Sequence, residues 1–360
     1  MHISTVHLRH FRNYADRRFA FSSEGAVLCG PNGSGKTNLF EAMAYCAFGR
    51  SFRTRSDTEL VSFGQDGFRV VCEAGWDGIE HTFEAGWTQG ESKRIRLDGA
   101  RVERIGDLYR WLRLIYFSPA DIDIVNGAAG VRRRFIDQAV SQYSFAYVES
   151  YRRYLHVLRQ RNALLKRQFA PREKQVWDGR FCEAAADLVR RRLLYFDTFI
   201  EQAGVFYRAI SGASEQLDVR YLHSLPRDDE GGLAEQYIRQ ADRMAERETR
   251  YQRTLLGPHL DDMLLLLDGK PARQFASQGQ QRSLSIALRL AQARLIESQA
   301  GEPPVLVFDD VLAELDAARA ARVLELLDHR CQVFVARPDC TRDDGCDLPV
   351  INVTAGEDTA

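Results

Sequence analysis

Along the first 120 residues the apolar positions fall in short runs and alternations. "VHLRHF" alternates, "GAVLC" (25–29) is a continuous apolar run, and "FRVVCEAG", "IEHTFEAG" and "KRIRLDGARV" keep the strand period. The last of these carries an Asp98-Gly99 pair suited to the positive φ of a tight hairpin. "TNLFEAMAYCAF" has helical spacing instead, and "RLIYF" reads as a further strand. From about Gly130 to Arg250 strand patterns nearly vanish and helical ones take over, with Tyr151, Leu155, Leu158, Asn162 and Leu165 on one expected face. From about Tyr251 the mixed texture returns. It holds a hairpin about Asp268-Gly269, a helix of about 19 residues after Gly279, and a buried strand "VLVF". A helix that Asp316 can cap follows, with strands in "CQVFVA" and "PVINV". The pattern predicts an α/β fold in which segments 1–120 and 251–360 form one domain, interrupted by a helical domain at 121–250.

Composition narrows the function. The 360 residues are 45% hydrophobic with a net charge of −1, enough for one large or two smaller domains. No eighteen-residue apolar run is present, so no membrane partner is expected, and the N-terminal stretch has no apolar signal core. Seven scattered cysteines without a C-x-x-C spacing argue against a disulfide framework or zinc site and point to the reducing cytoplasm. The overall charge does not favour nucleic acid, so an anionic partner needs a local patch. Residues 131–195 offer one, with 15 Lys and Arg against six Asp and Glu, a run that taken alone reads as a solvated helix face.

The clearest chemistry is "GPNGSGKT", which fills every fixed position of G-x-x-x-x-G-K-[ST] between an expected strand and an expected helix. Backbone N–H groups of Gly30, Pro31's successors Asn32, Gly33, Ser34 and Gly35, and the helix start through Asn38, would cradle phosphates. Lys36 would reach the outer phosphates and the Thr37 hydroxyl would ligate Mg²⁺. "VLVFDD" supplies the complement, a buried strand ending in two acids. Asp309 is expected at Mg²⁺, and Asp310 where a carboxylate orients or deprotonates water. Lys36 and Asp309 lie 273 residues apart, which leaves room for the helical segment as a projecting lobe.

A second helix start, "FASQGQQRSL", lies just before that strand. Together "GPNGSGKT", "ASQGQQRSL" and "FDDVLAELD" resemble the ABC-type ATPase heads of the SMC and RecF group. The RecF family is closer still: "LRHFRNY", "YFSPAD", "GVRRRFIDQAV" and "RTLLGPHLDD" match it in order across nearly the full chain. The resemblance implies ATP and Mg²⁺ as cofactors and an ATP-dependent head-to-tail homodimer. In it, Ser277, Gly279 and Gln280 of one copy would cap the ATP held by the other, Asp316 would face the partner, and Arg12 and Asn13 would touch nucleotide. It implies slow, DNA-stimulated hydrolysis and binding of DNA without sequence preference. It also implies RecR- and RecO-type mediators, assistance to RecA loading at single-strand gaps, SOS induction and replication restart.

Beside such a head the basic run becomes a DNA candidate, through Arg132, Arg133, Arg134, Arg152, Arg153, Arg159, Arg161, Lys166 and Arg167. Several positions depart from the family pattern. No clear Gln links the first lobe to Mg²⁺, and Ser118 stands nearby instead. Leu260 replaces an arginine, Ala313 a serine, and Ala336-Arg337 a γ-phosphate sensor. These departures favour a slow switch. The competing readings are a transporter ATPase subunit, which rarely carries so basic a helical insert, and an SMC-like structural protein, which needs a far longer coiled coil.

Overall fold

Three Asp-Gly pairs set the tight turns of this chain: Asp77-Gly78, Asp98-Gly99 and Asp268-Gly269 each hold φ between 48° and 78° at both residues. The structure, a computed structural model, describes residues 1–212, 214–226, 231–327, 329–339 and 348–354. In chain order the elements begin with β1 (His2–Phe11), β2 (Tyr14–Ala20), β3 (Gly25–Cys29), α1 (Lys36–Phe48), β4 (Gly67–Trp76), β5 (Ile79–Thr88), β6 (Arg94–Leu97), β7 (Ala100–Arg101) and β8 (Leu114–Phe117). The middle comprises α2 (Asp123–Asn126), α3 (Ala129–Tyr143), α4 (Phe145–Leu165), α5 (Pro171–Ser211), β9 (Leu217–Leu222) and α6 (Leu233–Tyr251). The chain closes with β10 (Asp262–Leu267), β11 (Lys270–Pro271), α7 (Ala272–Phe275), α8 (Gln278–Ala300), β12 (Val305–Phe308), α9 (Ala317–Glu325), β13 (Val333–Arg337) and β14 (Val350–Asn352).

The chain divides into two units, and the first gathers both ends: residues 1–121, 206–213 and 282–360. It contains two sheets. One is antiparallel, ordered β2-β1-β4-β5-β6-β7, and its β4 buries Phe68, Val70, Cys72 and Ala74 at alternate positions, the mark of a single core face. The other is parallel, ordered β14-β3-β13-β12-β8. Its β3, β8 and β12 are buried at every residue, which is why they read as unbroken apolar runs. Helix α1 shares one core cluster with residues of both sheets and is buried at nearly every position. The chain is thus a mixed α/β protein with a largely helical insert.

The second unit comprises residues 122–205 and 214–281. It takes in Tyr251–Gln281, which the texture grouped with the head. The reason is β9, a strand hidden in the helical stretch, which pairs antiparallel with β10 from Asp262↔Leu222 to Leu267↔Leu217. The buried stripe of α4 also differs from the expected face. It runs through Tyr147, Ser150, Tyr154, Val157, Leu158, Arg161, Leu164 and Leu165, because a buried arginine with acidic partners takes a core position that hydrophobicity would assign to an apolar residue. Among the described residues Cys46, Cys72, Cys182 and Cys331 are free thiols.

Candidate functional site

After β3 the chain turns through Gly30–Gly35 into α1. Gly35 caps the helix at φ 115° and ψ 0°, in a conformation that L side chains rarely adopt. Asn13 of the β1–β2 turn and Tyr14 at the start of β2 fasten it: Tyr14 Oη donates to Gly35 O at 3.0 Å and Asn13 Nδ2 to Ser34 O at 3.1 Å. Asn38 Nδ2 in turn donates to Asn13 Oδ1 at 2.8 Å. Asn13 therefore braces the loop. Lys36 is 4% exposed, and its Nζ donates to the carbonyls of Gly30 (2.6 Å) and Pro31 (3.1 Å), which holds the ammonium over the loop. Pro31, Asn32 and Gly33 are exposed along the rim. The Ser34 hydroxyl is buried and has no hydrogen-bond partner among the described residues.

The acidic strand meets this loop directly. Thr37 Oγ1 donates to Asp309 Oδ1 at 3.0 Å, joining residues 272 positions apart. Tyr116 Oη donates to Asp309 Oδ2 at 2.5 Å. Asp309 is 4% exposed, and this burial raises its pKa against the opposing hydrogen bond from Tyr116. Burial also drives the Tyr116 phenol far above its ordinary value, with the Asp309 charge adding to the effect, so the hydroxyl remains a donor. Asp310 adopts φ 56°, and its Oδ1 is buried without a partner among the described residues. A strained carboxylate with a free oxygen is a common arrangement at functional sites. Hydroxyl and carboxylate oxygens are the donor set a hard divalent cation takes, so Thr37 and Asp309 fit Mg²⁺.

Other expected contacts resolve differently. Arg12 sits in the β1–β2 turn at φ 56°, and its guanidinium forms two 2.8 Å bonds to Glu41 of α1 and a third to Glu59 O at 2.7 Å. Glu41 is fully buried, so Arg12 works as an internal anchor. At the start of α8, Ser277 Oγ accepts from Gln280 N at 3.3 Å, and Gln280 Oε1 accepts from Ser277 N at 2.7 Å. This is a capping box, S-x-x-Q. Gln280 Nε2 donates to Glu215 Oε1 at 2.7 Å, which commits that side chain to its own unit. Ser277 remains exposed, and Gly279 is half-buried. Asp316 caps α9, accepting from Arg319 N at 2.9 Å. Ala336 and Arg337 end β13, and Arg337 O accepts from Gly30 N at 3.2 Å.

The basic residues separate by burial. Arg161 is fully buried, ion-paired with Glu248 (2.5 Å) and Asp178 (2.8 Å). Arg132 is 6% exposed and grips both oxygens of Asp262, at 2.6 and 2.9 Å. The half-buried Arg133 donates to Asp261 O at 2.9 Å. Arg132 and Arg161 are corrections: charges desolvated into internal pairs hold the insert together and do not face an external phosphate. Arg134, Arg152, Arg153, Arg159, Lys166 and Arg167 are exposed. Arg192, outside the expected set, is 1% exposed and bonds Asp137, Tyr147, Tyr221 and Pro258 O. Sequence reasoning missed Tyr116 and Glu41. The available signal was a lone polar group in an otherwise apolar segment, a phenol in "LIYF" and an acid in "NLFEAMAY".

Comparison with known proteins adds the remaining findings. Residues 2–338 match the family model of the RecF/RecN/SMC N terminal domain. A protein of Synechococcus sp. (strain JA-3-3Ab) called DNA replication and repair protein RecF is 34% identical over 344 residues, which is 93% of this chain and 90% of that one. A solved structure described as the recombination mediator protein RecF-ATP in the RecFOR pathway superposes with a TM-score of 0.90 at 27% identity, over 99% of this chain and 96% of its own. An Smc head bound to the C-winged helix domain of ScpA shares the fold, with a TM-score of 0.55 at 15% identity.

Proposed function

The chain belongs to the RecF family, and from that premise we propose that it is an ATP-binding protein of DNA replication and repair acting in the RecFOR pathway. The observation that carries the reading is the 3.0 Å bond from Thr37 to Asp309, which unites the phosphate loop with the acidic strand. Gly30–Gly35 cradle the phosphates through backbone N–H groups, and Lys36 turns from the carbonyls of Gly30 and Pro31 to the outer phosphates. Thr37 and Asp309 hold Mg²⁺, which when bound neutralises charge on the transferred phosphoryl group. Asp310 positions the attacking water and takes its proton as ATP and water become ADP and phosphate. Slow turnover suits a site with Ala336 and Arg337 at the end of β13, neither of which offers a hydroxyl or imidazole to sense the γ-phosphate.

Ser277 and Gly279 extend the reading to assembly. They lie at a helix N-terminus, a site suited to an anion, with Ser277 exposed and Gly279 half-buried, and they belong to the second unit whereas Lys36 belongs to the first. In this reading a second copy supplies the γ-phosphate they cap, so ATP links two chains head to tail. Gln280 serves by shaping the cap, and Asp316, exposed beside α9, faces the partner copy. The paired inserts grip DNA phosphates through Arg134, Arg152, Arg153, Arg159, Lys166 and Arg167, without reading sequence. RecR- and RecO-type mediators and assistance to RecA loading at gaps, with its consequences for SOS induction, complete the role. The setting is cytoplasmic and nucleoid-associated; no helix among the described residues is long and apolar enough to cross a membrane. The test is gel filtration with and without ATP, with Lys36→Arg as control. A dimer that appears with ATP and is lost in the variant is expected, while a monomer that still hydrolyses ATP refutes capping in trans.

A further inference from the structure

The two oxygens of the Asp309 carboxylate have different neighbours. Oδ1 faces Thr37, while Oδ2 accepts from Tyr116 Oη. Tyr116 comes from β8, the strand beside β12, in the register Val307↔Tyr116 and Phe308↔Phe117, and Asp309 N donates to Phe117 O at 3.0 Å. It is the only polar side chain in a strand that is otherwise Leu, Ile and Phe. A buried hydroxyl needs a partner, and this one has the carboxylate. The phenol ring is covered in turn by Phe52, with ring centroids 3.9 Å apart and planes inclined by 31°. Glu41 fixes the segment that carries Phe52. It accepts from Ser51 Oγ and from Arg53 Nη1 (3.3 Å), and it is itself held by Arg12. Arg53 Nη1 also donates to Asn38 Oδ1 at 2.8 Å. One chain of contacts therefore runs from the second turn of α1, through Phe52 and Tyr116, to the acid at the end of β12.

We propose that Tyr116 is a positioning residue for the divalent cation of the nucleotide site: its hydroxyl fixes one oxygen of Asp309, so that the other is presented beside Thr37, and Phe52 pins the ring that does this. The inference rests on the reading of Lys36, Thr37 and Asp309 as an ATP and Mg²⁺ site. A carboxylate without such a hold rotates about its last torsion and presents its oxygen to the cation only part of the time. Partners of this kind typically contribute 10–100-fold to metal affinity. The hold has no direct bearing on how the loop grips phosphates, so metal-free nucleotide binding is independent of it.

The test uses the full chain, with ATP binding followed by calorimetry across a Mg²⁺ titration and again in excess EDTA. Tyr116→Phe keeps the ring and its stacking on Phe52. It is expected to raise the half-saturating Mg²⁺ about tenfold while leaving binding in EDTA unchanged. An unchanged Mg²⁺ requirement overturns the proposal. Phe52→Ala, at an exposed ring, is expected to give a smaller rise in the same direction. The double variant should be no worse than Tyr116→Phe, and additive effects would overturn the role given to Phe52. If Tyr116→Phe melts well below the wild type, Phe52→Ala carries the measurement. A wild-type chain that binds no ATP under either condition refutes the nucleotide site itself, an outcome distinct from an unaltered Mg²⁺ dependence.

Discussion

At the scale of single residues, Gly35 shows how closely the phosphate loop is built. A Cβ there would lie 2.6 Å from Tyr14 Oη and 2.7 Å from Asn13 Nδ2, at φ 115°. Gly35→Ala should therefore cost about 1–3 kcal/mol and abolish ATP binding, read by thermal melting and nucleotide titration. Gly33 has open space around it, and only its φ of 83° disfavours a side chain there. The arginines make the opposite point, since residues of one type in one run have different roles. Removing Arg161 leaves the fully buried Glu248 without its charge partner, so Arg161→Ala should destabilise by about 3–5 kcal/mol in urea. Arg152 forms an exposed pair with Glu149, so Arg152→Ala should change stability by less than about 1 kcal/mol. Glycine and lysine roles were legible because the loop motif fixes their spacing. The arginine roles were not, because burial depends on acids up to 130 positions away, such as Asp262 for Arg132.

At the scale of elements, the "RTLLGPHLDD" segment shows what a motif outside the nucleotide site is for. His259 packs against Tyr154, whose Oη meets its Nδ1 at 2.6 Å, and burial pushes the imidazole pKa down to about 4. The folded value lies below the ordinary 6.5, so folding favours the neutral ring. The stability this contributes is complete above about pH 6.5 and is lost as pH falls toward about 4. The unfolding free energy from urea titrations should drop across that window by an amount on the order of 2–3 kcal/mol, and His259→Gln should flatten the drop. The start of α8 has two roles that separate by substitution. Ser277→Ala should cost about 1 kcal/mol through the lost cap. Ser277→Arg should leave ATP binding intact and prevent ATP-dependent dimerisation, as read by gel filtration. The helix and its cap were legible from "SQGQ" followed by apolar spacing. Strand β9 was not, because a six-residue strand amid helices is stabilised by its partner β10 and has no signal of its own strong enough to stand out.

At the scale of the whole molecule, the two ends of the chain make one unit and the middle makes another, but the change of hydrophobic period near Tyr251 does not mark the second boundary, because β9 pairs with β10 and Tyr251–Gln281 belong to the middle unit. DNA affinity belongs to this scale because it sums many weak phosphate contacts. Log affinity should fall linearly with log salt, and Arg152→Ala and Arg159→Ala should each lower the slope by about one. A flat salt response would remove the phosphate-gripping role. The sequence by itself determined the phosphate loop, the acidic strand, the α/β texture and the family likeness, because backbone cradles and buried strands need particular residue types at fixed local spacing. Only the tertiary structure decided that Tyr116 holds Asp309, that Glu41 gathers Arg12 and Arg53, and that Arg132 and Arg161 face inward. Each of these depends on a partner brought close by folding, and distance along the chain contains no record of it.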